Sequence, residues 1–470
     1  MRLSEVKICI SDKLYVSGLP LTLEHDVIQD MTLVNPEYEQ RQRMRLWLRD
    51  TPKTLTLAEH RGDKLVLPRG YLGALRQRIR EAGGKFILDD KRLMLPSIDL
   101  EFKGKLRPYQ AQAMENLTKH PDGVLVGGCG SGKTVIGCAL IAHWRQPALV
   151  ICHTKELLKQ WCGELQNFLG VNAGQIGDGS FDIQPITVSL VQSLVSRPEL
   201  LEDIKNRFGL ILLDEAHHCP AKTFTEVIQY FPALFRYGLS ATPERRDGLT
   251  DFLFSVIGHS RHTITSNELH AGGVLVTPEI RMIPTEFESF YEDDWVSLMT
   301  ELTESDERNK FAVDVIVDLV DNGRKVIALS ERVAHVEKLD SMINKLRKGA
   351  SIPAYGKLPK RARETAFDKI RNGDAQVLLA TKLADEGLNL PNLDAVVLLT
   401  PSRDAGRTMQ RVGRTLRAVP NKPAPIVIDI VDVQVPLLAS QARTRFFNCY
   451  RKISPKSRLP DWLNNKSMTA

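Results

Sequence analysis

The chain has 470 residues, of which 43% are hydrophobic and 26% charged, and its formal net charge is +6. This composition is typical of a globular protein and excludes disordered and fibrous classes, while domains of roughly 100–200 residues predict several units. The longest apolar runs, such as residues 210–213 and 395–399, are far shorter than the roughly 18 residues of a membrane span. Seven cysteines without a Cys-x-x-Cys pair indicate neither a disulfide framework nor a zinc cluster. With no signal-peptide pattern, we expect a cytoplasmic protein without membrane contact.

Residues 1–100 predict a small α/β module. Short strand-like runs at 6–10, 54–57 and 64–67 accompany a helical pattern at 71–82. A group of basic residues lies in and after a Pro-Arg-Gly turn, and two of them are spaced i, i+4 on one helix face. These residues are Arg69, Arg76, Arg80 and Lys85. We expect this face to contact nucleic-acid phosphates, with a merely solvated face or packing on the next domain as alternatives.

Two series of short buried strands alternate with helices in the rest of the chain. The first series lies at 123–126, 148–152, 186–191, 209–213 and 237–239. The second series lies at 325–329, 376–380, 395–399 and 425–430. Apolar bursts of this length between helices are typical of a parallel, doubly wound sheet. The sequence therefore predicts two α/β domains in tandem.

A glycine-rich loop stands between the first of these strands and a helix. Residues 127–134 fit the pattern GxxxxGK[ST], in which backbone N–H groups wrap phosphates at the positive end of a helix. We expect Lys133 to reach the β- and γ-phosphates of a nucleotide and Thr134 to bind Mg²⁺. The other loop residues assigned to the phosphates are Gly127, Gly128, Cys129, Gly130, Ser131 and Gly132.

Two adjacent carboxylates follow the strand at 209–213. A carboxylate at a strand tip beside a phosphate loop can hold Mg²⁺, and its neighbour can orient and deprotonate the attacking water. We assign Asp214 to the metal and Glu215 to the base. The following His217, His218 and Cys219 are also zinc-ligand types, but no further ligands accompany them. A coupling role for His217 is favoured instead.

From about residue 107 to 417 the chain resembles superfamily 2 helicases of the DEAH-box type, because further motifs occur in the order found in that family. The first-half motifs are Arg107-Pro-Tyr-Gln110, the phosphate loop, residues 153–157, residues 214–217 and Ser240-Ala-Thr242. The second-half motifs are residues 328–332, Ala380-Thr381 with residues 386–391, and residues 410–417. The resemblance implies two tandem RecA-like, doubly wound parallel-sheet domains preceded by the small N-terminal α/β accessory module.

The resemblance also implies roles for individual residues. Arg107 and Gln110 are expected to contact the adenine of ATP, and Ser240 and Thr242 to couple the γ-phosphate state to the domain interface. The second domain is expected to contact ATP through Glu386, Gly387 and Asn389, the last standing where many relatives have Asp. Sequence-independent contacts to the DNA backbone are expected from Thr154, Lys155, Gln192, Arg332 and Thr381.

The last motif carries the arginines that an ATPase transition state requires. Charge concentrates on the γ-phosphate, and an arginine delivered across a domain interface neutralises it. Arg414 and Arg417 are three residues apart on a helical stretch and therefore share one face. We expect both to be arginine fingers, with Gln410 of the same motif in the catalytic set.

The motif positions divide the chain into five predicted segments. These are a duplex-DNA-binding accessory module at 1–100, a first RecA-like domain at 101–262, a linker or thumb-like insertion at 263–305, a second RecA-like domain at 306–435 and a basic tail at 436–470. Phe290, Tyr291 and Trp295 in the insertion are either thumb or packing residues.

The layout resembles XPB-like helicases and phage branch-migration helicases of the UvsW type, with Arg245-Arg-Asp-Gly248 after the first-domain motifs. This resemblance implies an ATP- and Mg²⁺-dependent 3′–5′ DNA helicase that remodels forks, junctions or R-loops in a bacterial or phage-infected cell. The alternatives are a duplex DNA translocase that does not separate strands and an RNA helicase. The sequence indicates no particular protein partner or oligomeric state.

Overall fold

A computed structural model of the chain places most of its residues in two units, Met1–Thr265 and Ser266–Ala470. The residues that it describes are 5–44, 47–48, 51–128, 130–215, 226–241, 250–274, 276–290, 294–381, 392–401 and 423–464.

The N-terminal module (residues 5–90) is a five-stranded sheet covered on one face by helices. Its elements are β1 (Val6–Ile10), β2 (Leu14–Ser17), α1 (Leu21–Asp30), β3 (Thr32–Val34), α2 (Pro36–Arg43), β4 (Thr54–Thr56), β5 (Glu59–Arg61), β6 (Lys64–Leu67), a 3₁₀ turn (Arg69–Tyr71), α3 (Leu72–Glu81) and β7 (Phe86–Asp90). The strand order is β5-β6-β2-β1-β7, and β3 pairs with β4 in a separate hairpin. Alternate residues of β1 are buried against α1 and α3, as the period-two pattern predicts.

The rest of the first unit is an eight-stranded sheet in the order β11-β10-β12-β9-β13-β14-β8-β15. Its strands are β8 (Asp122–Gly127), β9 (Ala148–Cys152), β10 (Gly174–Gly177), β11 (Ser180–Phe181), β12 (Ile186–Leu190), β13 (Leu210–Asp214), β14 (Phe235–Ser240) and β15 (Ser260–Ile264). Its helices are α4 (Pro108–Thr118), α5 (Lys133–Trp144), α6 (Lys155–Leu169), α7 (Val191–Val195), α8 (Pro198–Ile204) and α9 (Thr250–Ile257). All neighbouring strands pair in parallel except β10 with β11, so the carboxyl ends of seven strands meet at one edge.

The Pro-Arg-Gly turn of the N-terminal module is docked on this sheet. Arg69 is 2% exposed, and its Nη1 and Nη2 donate to the carbonyl oxygens of Ala233 at 2.5 Å and Leu234 at 2.9 Å. Burial, and then the neighbouring Arg236, lower the pKa of Arg69 well below its usual range. The expectation that Arg69 belongs to a DNA-binding surface is therefore wrong, because its side chain is buried and both of its terminal nitrogens donate to backbone carbonyls inside the unit.

A second buried arginine, Arg236 of β14, also connects the sheet to the N-terminal module. Arg236 donates to the carbonyl oxygens of Val256 at 3.0 Å, Phe231 at 2.8 Å and, in the module, Asp12 at 3.3 Å. Burial lowers its pKa to about 10. Gly70 allows the turn to approach α9, since a Cβ there would lie 2.6 Å from the carbonyl oxygen of Ser255. The module is thus attached to the sheet by direct packing and by hydrogen bonds from two buried arginines.

Other basic residues of the module remain at its surface. The Arg76 and Arg80 guanidinium groups lie over the Phe86 ring, 5.5 and 5.8 Å from its centroid, so the two share a face as predicted. Arg80 and Lys85 are exposed. Binding of DNA by these residues stays a prediction.

The second unit is built around a six-stranded parallel sheet in the order β16-β21-β20-β17-β19-β18. Its strands are β16 (Glu279–Thr285), β17 (Val326–Leu329), β18 (Ser351–Ala354), β19 (Val377–Ala380), β20 (Ala395–Leu398) and β21 (Ile426–Asp432). Its helices are α10 (Ser266–Ala271), α11 (Trp295–Glu304), α12 (Asp306–Asp321), α13 (Val333–Leu346), α14 (Lys360–Asn372), α15 (Pro436–Arg445), a π-helix (Phe446–Tyr450), α16 (Arg451–Ile453) and α17 (Asp461–Asn464). The two parallel sheets confirm the predicted doubly wound α/β class.

Two stretches outside the predicted second domain belong to this unit. Strand β16, inside the range expected to be a linker or thumb, pairs with β21 from Glu279 opposite Ile426 to Thr285 opposite Asp432. Trp295 packs with Leu298 and Val435 rather than standing free, whereas Phe290 is exposed.

The range predicted as a basic tail begins with helices that pack on the sheet. Arg445 is buried and donates from Nε and Nη2 to the two carboxylate oxygens of Asp429, each at 2.9 Å, and the Tyr450 hydroxyl donates to the same carboxylate at 2.8 Å. Phe446 and Cys449 fill the core beside them. Within the range predicted as a basic tail, residues 436–464 therefore contain helices whose apolar faces pack on the sheet.

No helix in the described part of the chain combines the length and apolar character of a membrane span.

Candidate active site

The phosphate loop connects the carboxyl end of β8 to α5. Gly132 precedes the helix with a left-handed φ of 75°, and a side chain there would collide with the amide nitrogen of Gln110. That amide donates to the Ser131 carbonyl at 3.3 Å, while its oxygen accepts from the backbone N–H of Arg107 at 2.9 Å. The predicted adenine-reading pair and the loop therefore lie together, as parts of one hydrogen-bonded chain.

Lys133 connects the loop to the carboxylates of β13. Its buried Nζ donates to the Gly127 carbonyl at 3.0 Å and lies 3.3 Å from Oε1 of Glu215. Glu215 has a φ of 49°, an uncommon left-handed value for a residue with a side chain. Its Oε2 accepts from the backbone N–H of Ala241, just after β14, at 3.4 Å. A strained backbone thus presents this carboxylate at the centre of the site.

Asp214 is buried at the carboxyl end of β13. Burial, and then the adjacent Glu215 carboxylate, raise the pKa of Asp214 to about 6. The indole N–H of Trp161, on α6, donates to its Oδ2 at 2.8 Å. Sequence reasoning missed Trp161, because an apolar residue inside a helix gives no sign of a polar partner 53 positions away.

The residues present fit a nucleotide with Mg²⁺. Thr134 and Asp214 offer the hydroxyl and carboxylate oxygens that Mg²⁺ prefers. The Ser131 hydroxyl is buried in the loop with no hydrogen-bond partner among the described residues, as expected of a group that awaits a ligand. Among those residues no group of three or more His, Cys, Asp or Glu side chains is arranged to hold a metal. A metal that keeps several waters and phosphate ligands, such as Mg²⁺, suits this donor set.

The residues predicted to contact DNA in the first unit lie at the same edge of the sheet, where they follow β9, the neighbour of β13, and β12, the next strand. Thr154 caps α6 by accepting from the N–H of Leu157 at 3.2 Å, and Lys155 pairs with Asp178 at 2.7 Å. Gln192 follows the neighbouring strand β12, and its amide donates to the carbonyl of His153 at 3.3 Å. The three predicted contacts are therefore neighbours.

In the second unit, Arg332 and Thr381 follow the adjacent strands β17 and β19. Arg332 is exposed at the start of α13, whereas Thr381 is buried. The Ser330 hydroxyl accepts from the Arg332 N–H at 3.2 Å and is itself 2.9 Å from Nδ1 of His335. These bonds hold the loop that carries Arg332.

Several predicted site residues lie outside the described part of the chain, and their assignments stay predictions. They are Cys129, His217, Thr242, Glu386, Gly387, Asn389, Gln410, Arg414 and Arg417. Ser240, the described member of the coupling set, is fully buried at the end of β14.

Comparison with known protein families agrees with this arrangement. Residues 103–245 match the model described as type III restriction enzyme, res subunit, and residues 308–419 match the helicase conserved C-terminal domain. Together these ranges span more than half of the chain. The chain belongs to the superfamily 2 helicases. The first matched region contains seven of the eight strands of one sheet, β8 to β14, and the second contains four of the six strands of the other, β17 to β20. This agreement confirms the predicted tandem RecA-like domains.

Individual helicases are similar over most of the chain. "Probable helicase D10" of Escherichia phage T5 is 27% identical over 354 residues, covering 74% of this chain and 76% of its own length. "DNA 3'-5' translocase XPB2" of Sulfurisphaera tokodaii is 26% identical over 360 residues, covering 69% and 81%. The ATP-dependent type ISP restriction-modification enzyme LlaBIII bound to DNA has a TM-score of 0.56 at 16% identity, covering 81% of this chain and 33% of that one. This last likeness concerns the fold alone.

Proposed function

We propose that the protein is an ATP-dependent 3′–5′ DNA helicase of the DEAH-box, XPB-like branch that remodels branched DNA. The proposal rests on two groups of residues that lie side by side where the strands of the first unit's sheet end. There the Lys133, Glu215 and Asp214 cluster lies beside the Thr154 and Lys155 end of α6. The name of the phage relative supports a helicase, and the name of the archaeal relative supports a translocase acting 3′ to 5′ on DNA.

The chain's own groups divide the work of hydrolysis. When ATP binds, Lys133 turns from the Gly127 carbonyl and the Glu215 carboxylate to the β- and γ-phosphate oxygens. Glu215 then orients a water molecule and accepts its proton. Thr134 and Asp214 would hold Mg²⁺, which would supply positive charge to stabilise the transferred phosphoryl group. Arg414 and Arg417 are proposed to add charge to the γ-phosphate in the transition state.

Two substitutions test this division. Lys133→Ala should abolish ATP turnover, whereas Glu215→Gln should keep ATP binding and block hydrolysis. Lys119 is an exposed lysine directly after α4, and Lys119→Ala is the matched control. It should change neither ATP binding nor ATP turnover. Normal turnover by Glu215→Gln would remove the assigned base.

A second candidate is a translocase that moves on duplex DNA without separating strands. The archaeal relative, which is named a translocase, favours this candidate. Strand displacement on forked DNA and triplex displacement on plain duplex distinguish the two. A helicase displaces the forked strand, while a pure translocase displaces only the triplex. ATPase rates with single-stranded, duplex, forked and four-way DNA and with RNA give the preferred substrate, and stimulation by RNA alone would overturn both candidates.

A further inference from the structure

Helix α6 touches both residues that are assigned to the metal. Trp161 donates its indole N–H to Oδ2 of Asp214 at 2.8 Å, and both side chains are buried. The preceding residue, Gln160, lies with its Nε2 3.5 Å from the hydroxyl of Thr134. Two consecutive side chains of one helix therefore reach the two proposed magnesium ligands, which belong to different elements, α5 and β13.

The same helix begins at the residues proposed to meet DNA. Thr154 caps α6 and Lys155 is its first residue, six positions before Trp161. At about 1.5 Å of rise per residue, roughly 9 Å of helix separates the two ends of this connection. A regular helix over this distance transmits a displacement as a rigid body, because its backbone hydrogen bonds leave little room for bending.

The ring of Trp161 is confined in the core between α5 and the sheet. A Cβ on Gly137 of α5 would lie 2.5 Å from Cη2 of the indole, and the same Cβ position is 3.3 Å from Leu212 and from Leu239. Glycine at 137 therefore makes space for the largest side chain of the core. The packed ring has little room to rotate, so its indole N–H is held in place beside the Asp214 carboxylate.

We propose that Trp161 is a positioning residue that holds Asp214 for the metal and couples it, through α6, to the DNA contacts of Thr154 and Lys155. The inference rests on the proposed ATPase function and deepens it. The buried Asp214 carboxylate accepts from the Trp161 indole and from the backbone N–H of Glu215, and the indole is the donor that belongs to α6. A donor of this kind behind a metal ligand fixes the orientation in which the carboxylate meets a metal or its water. Loss of the donor should loosen that orientation without removing a ligand.

The test compares Trp161→Phe, which removes the N–H and keeps an aromatic ring, with Trp144→Phe. Trp144 is the matched control, because its indole N–H donates to the Tyr237 hydroxyl at 3.1 Å in the same unit, away from the site. Binding of ADP is measured by calorimetry with Mg²⁺ and with EDTA, which reports on the metal without hydrolysis. ATP turnover is measured across a Mg²⁺ titration, with and without single-stranded DNA.

For Trp161→Phe we expect the Mg²⁺ concentration at half-maximal turnover to rise about tenfold, the lower end of the range for loss of a partner behind a metal ligand. The gain in ADP affinity on adding Mg²⁺ should shrink, ADP binding in EDTA should stay unchanged, and the ratio of DNA-stimulated to basal turnover should fall. Excess Mg²⁺ should restore basal turnover. Trp144→Phe should match the wild type in all four measurements.

Agreement of Trp161→Phe with Trp144→Phe in Mg²⁺ dependence would overturn the proposal, as would a loss of turnover that excess Mg²⁺ does not relieve. If Trp161→Phe does not fold, Trp161→Tyr, which also lacks the indole N–H and keeps an aromatic ring, replaces it with the same expected rise in half-saturating Mg²⁺. An unchanged value for that variant would equally overturn the proposal. Absence of ATP turnover in the wild type would instead refute the proposed function.

Discussion

The close approach of the Pro-Arg-Gly turn to α9 predicts a large difference between two glycines three positions apart. In Gly70→Ala the new methyl group would lie 2.6 Å from the Ser255 carbonyl oxygen and 2.8 Å from its carbon, and it would also meet the Phe254 carbonyl. Ordinary contact begins at 3.4 Å, so the turn must retreat by at least 0.8 Å. Both obstacles are backbone atoms and cannot rotate away.

The retreat also strains the bonds of the adjacent Arg69. Overpacking alone costs about 1–3 kcal/mol, and weakened hydrogen bonds from a charged group place the total near the upper end of that range. Gly73→Ala on α3 has nothing within 4 Å of the new methyl group and should stabilise the helix by up to about 1 kcal/mol.

Urea unfolding followed by tryptophan fluorescence measures both variants against the wild type. We expect Gly70→Ala to lower the midpoint of the first unit and Gly73→Ala to leave it unchanged or raise it. Equal midpoints for Gly70→Ala and the wild type, with Gly73→Ala behaving as expected, would refute the close packing of turn and helix.

Three further predictions use other contacts. Arg236→Met should lower the free energy of unfolding of the first unit by about 2–4 kcal/mol, because buried carbonyls lose their donor; calorimetry measures this, and no change would contradict the docking role. Burial, aided by Arg308, lowers the pKa of His335 to about 3, so the stabilisation from its neutral ring is present above pH 6.5 and is lost as pH falls towards 3. The pH dependence between 6.5 and 5 should therefore be shallower in His335→Asn, by up to about 1.4 kcal/mol per pH unit. Asp178→Asn frees Lys155 and should tighten DNA binding about twofold at low salt, since an exposed pair contributes less than about 1 kcal/mol; unchanged affinity in a salt titration would place Lys155 away from the DNA.

The central strands and the phosphate site were predictable because their signals are local. Strands β1, β6 and β9 have the predicted bounds, since β1 alternates buried with more exposed residues and β6 and β9 are short runs of mostly apolar residues. The phosphate loop is recognisable because its function needs glycines at fixed spacing.

The edge strands and the buried polar contacts were not predictable in the same way. Strand β10 contains two glycines in four residues, and β16 contains Pro284, so neither has the composition of a strand. Arg69 resembles a surface phosphate ligand in the sequence. Its burial depends on carbonyl groups more than 160 residues later in the chain, and local pattern contains no information about such partners.

That separation has a consequence for synthesis on the ribosome. The carbonyl groups that accept from Arg69 belong to residues 164 and 165 positions further along the chain. At about 5–20 residues per second, roughly 8–30 s pass between translation of the arginine and of its partners. During this interval the guanidinium is solvated, and the module can complete its own sheet but not its attachment. The first unit therefore closes only after β14 has emerged, so a ribosomal pause or truncation before that strand leaves a folded module on an open chain.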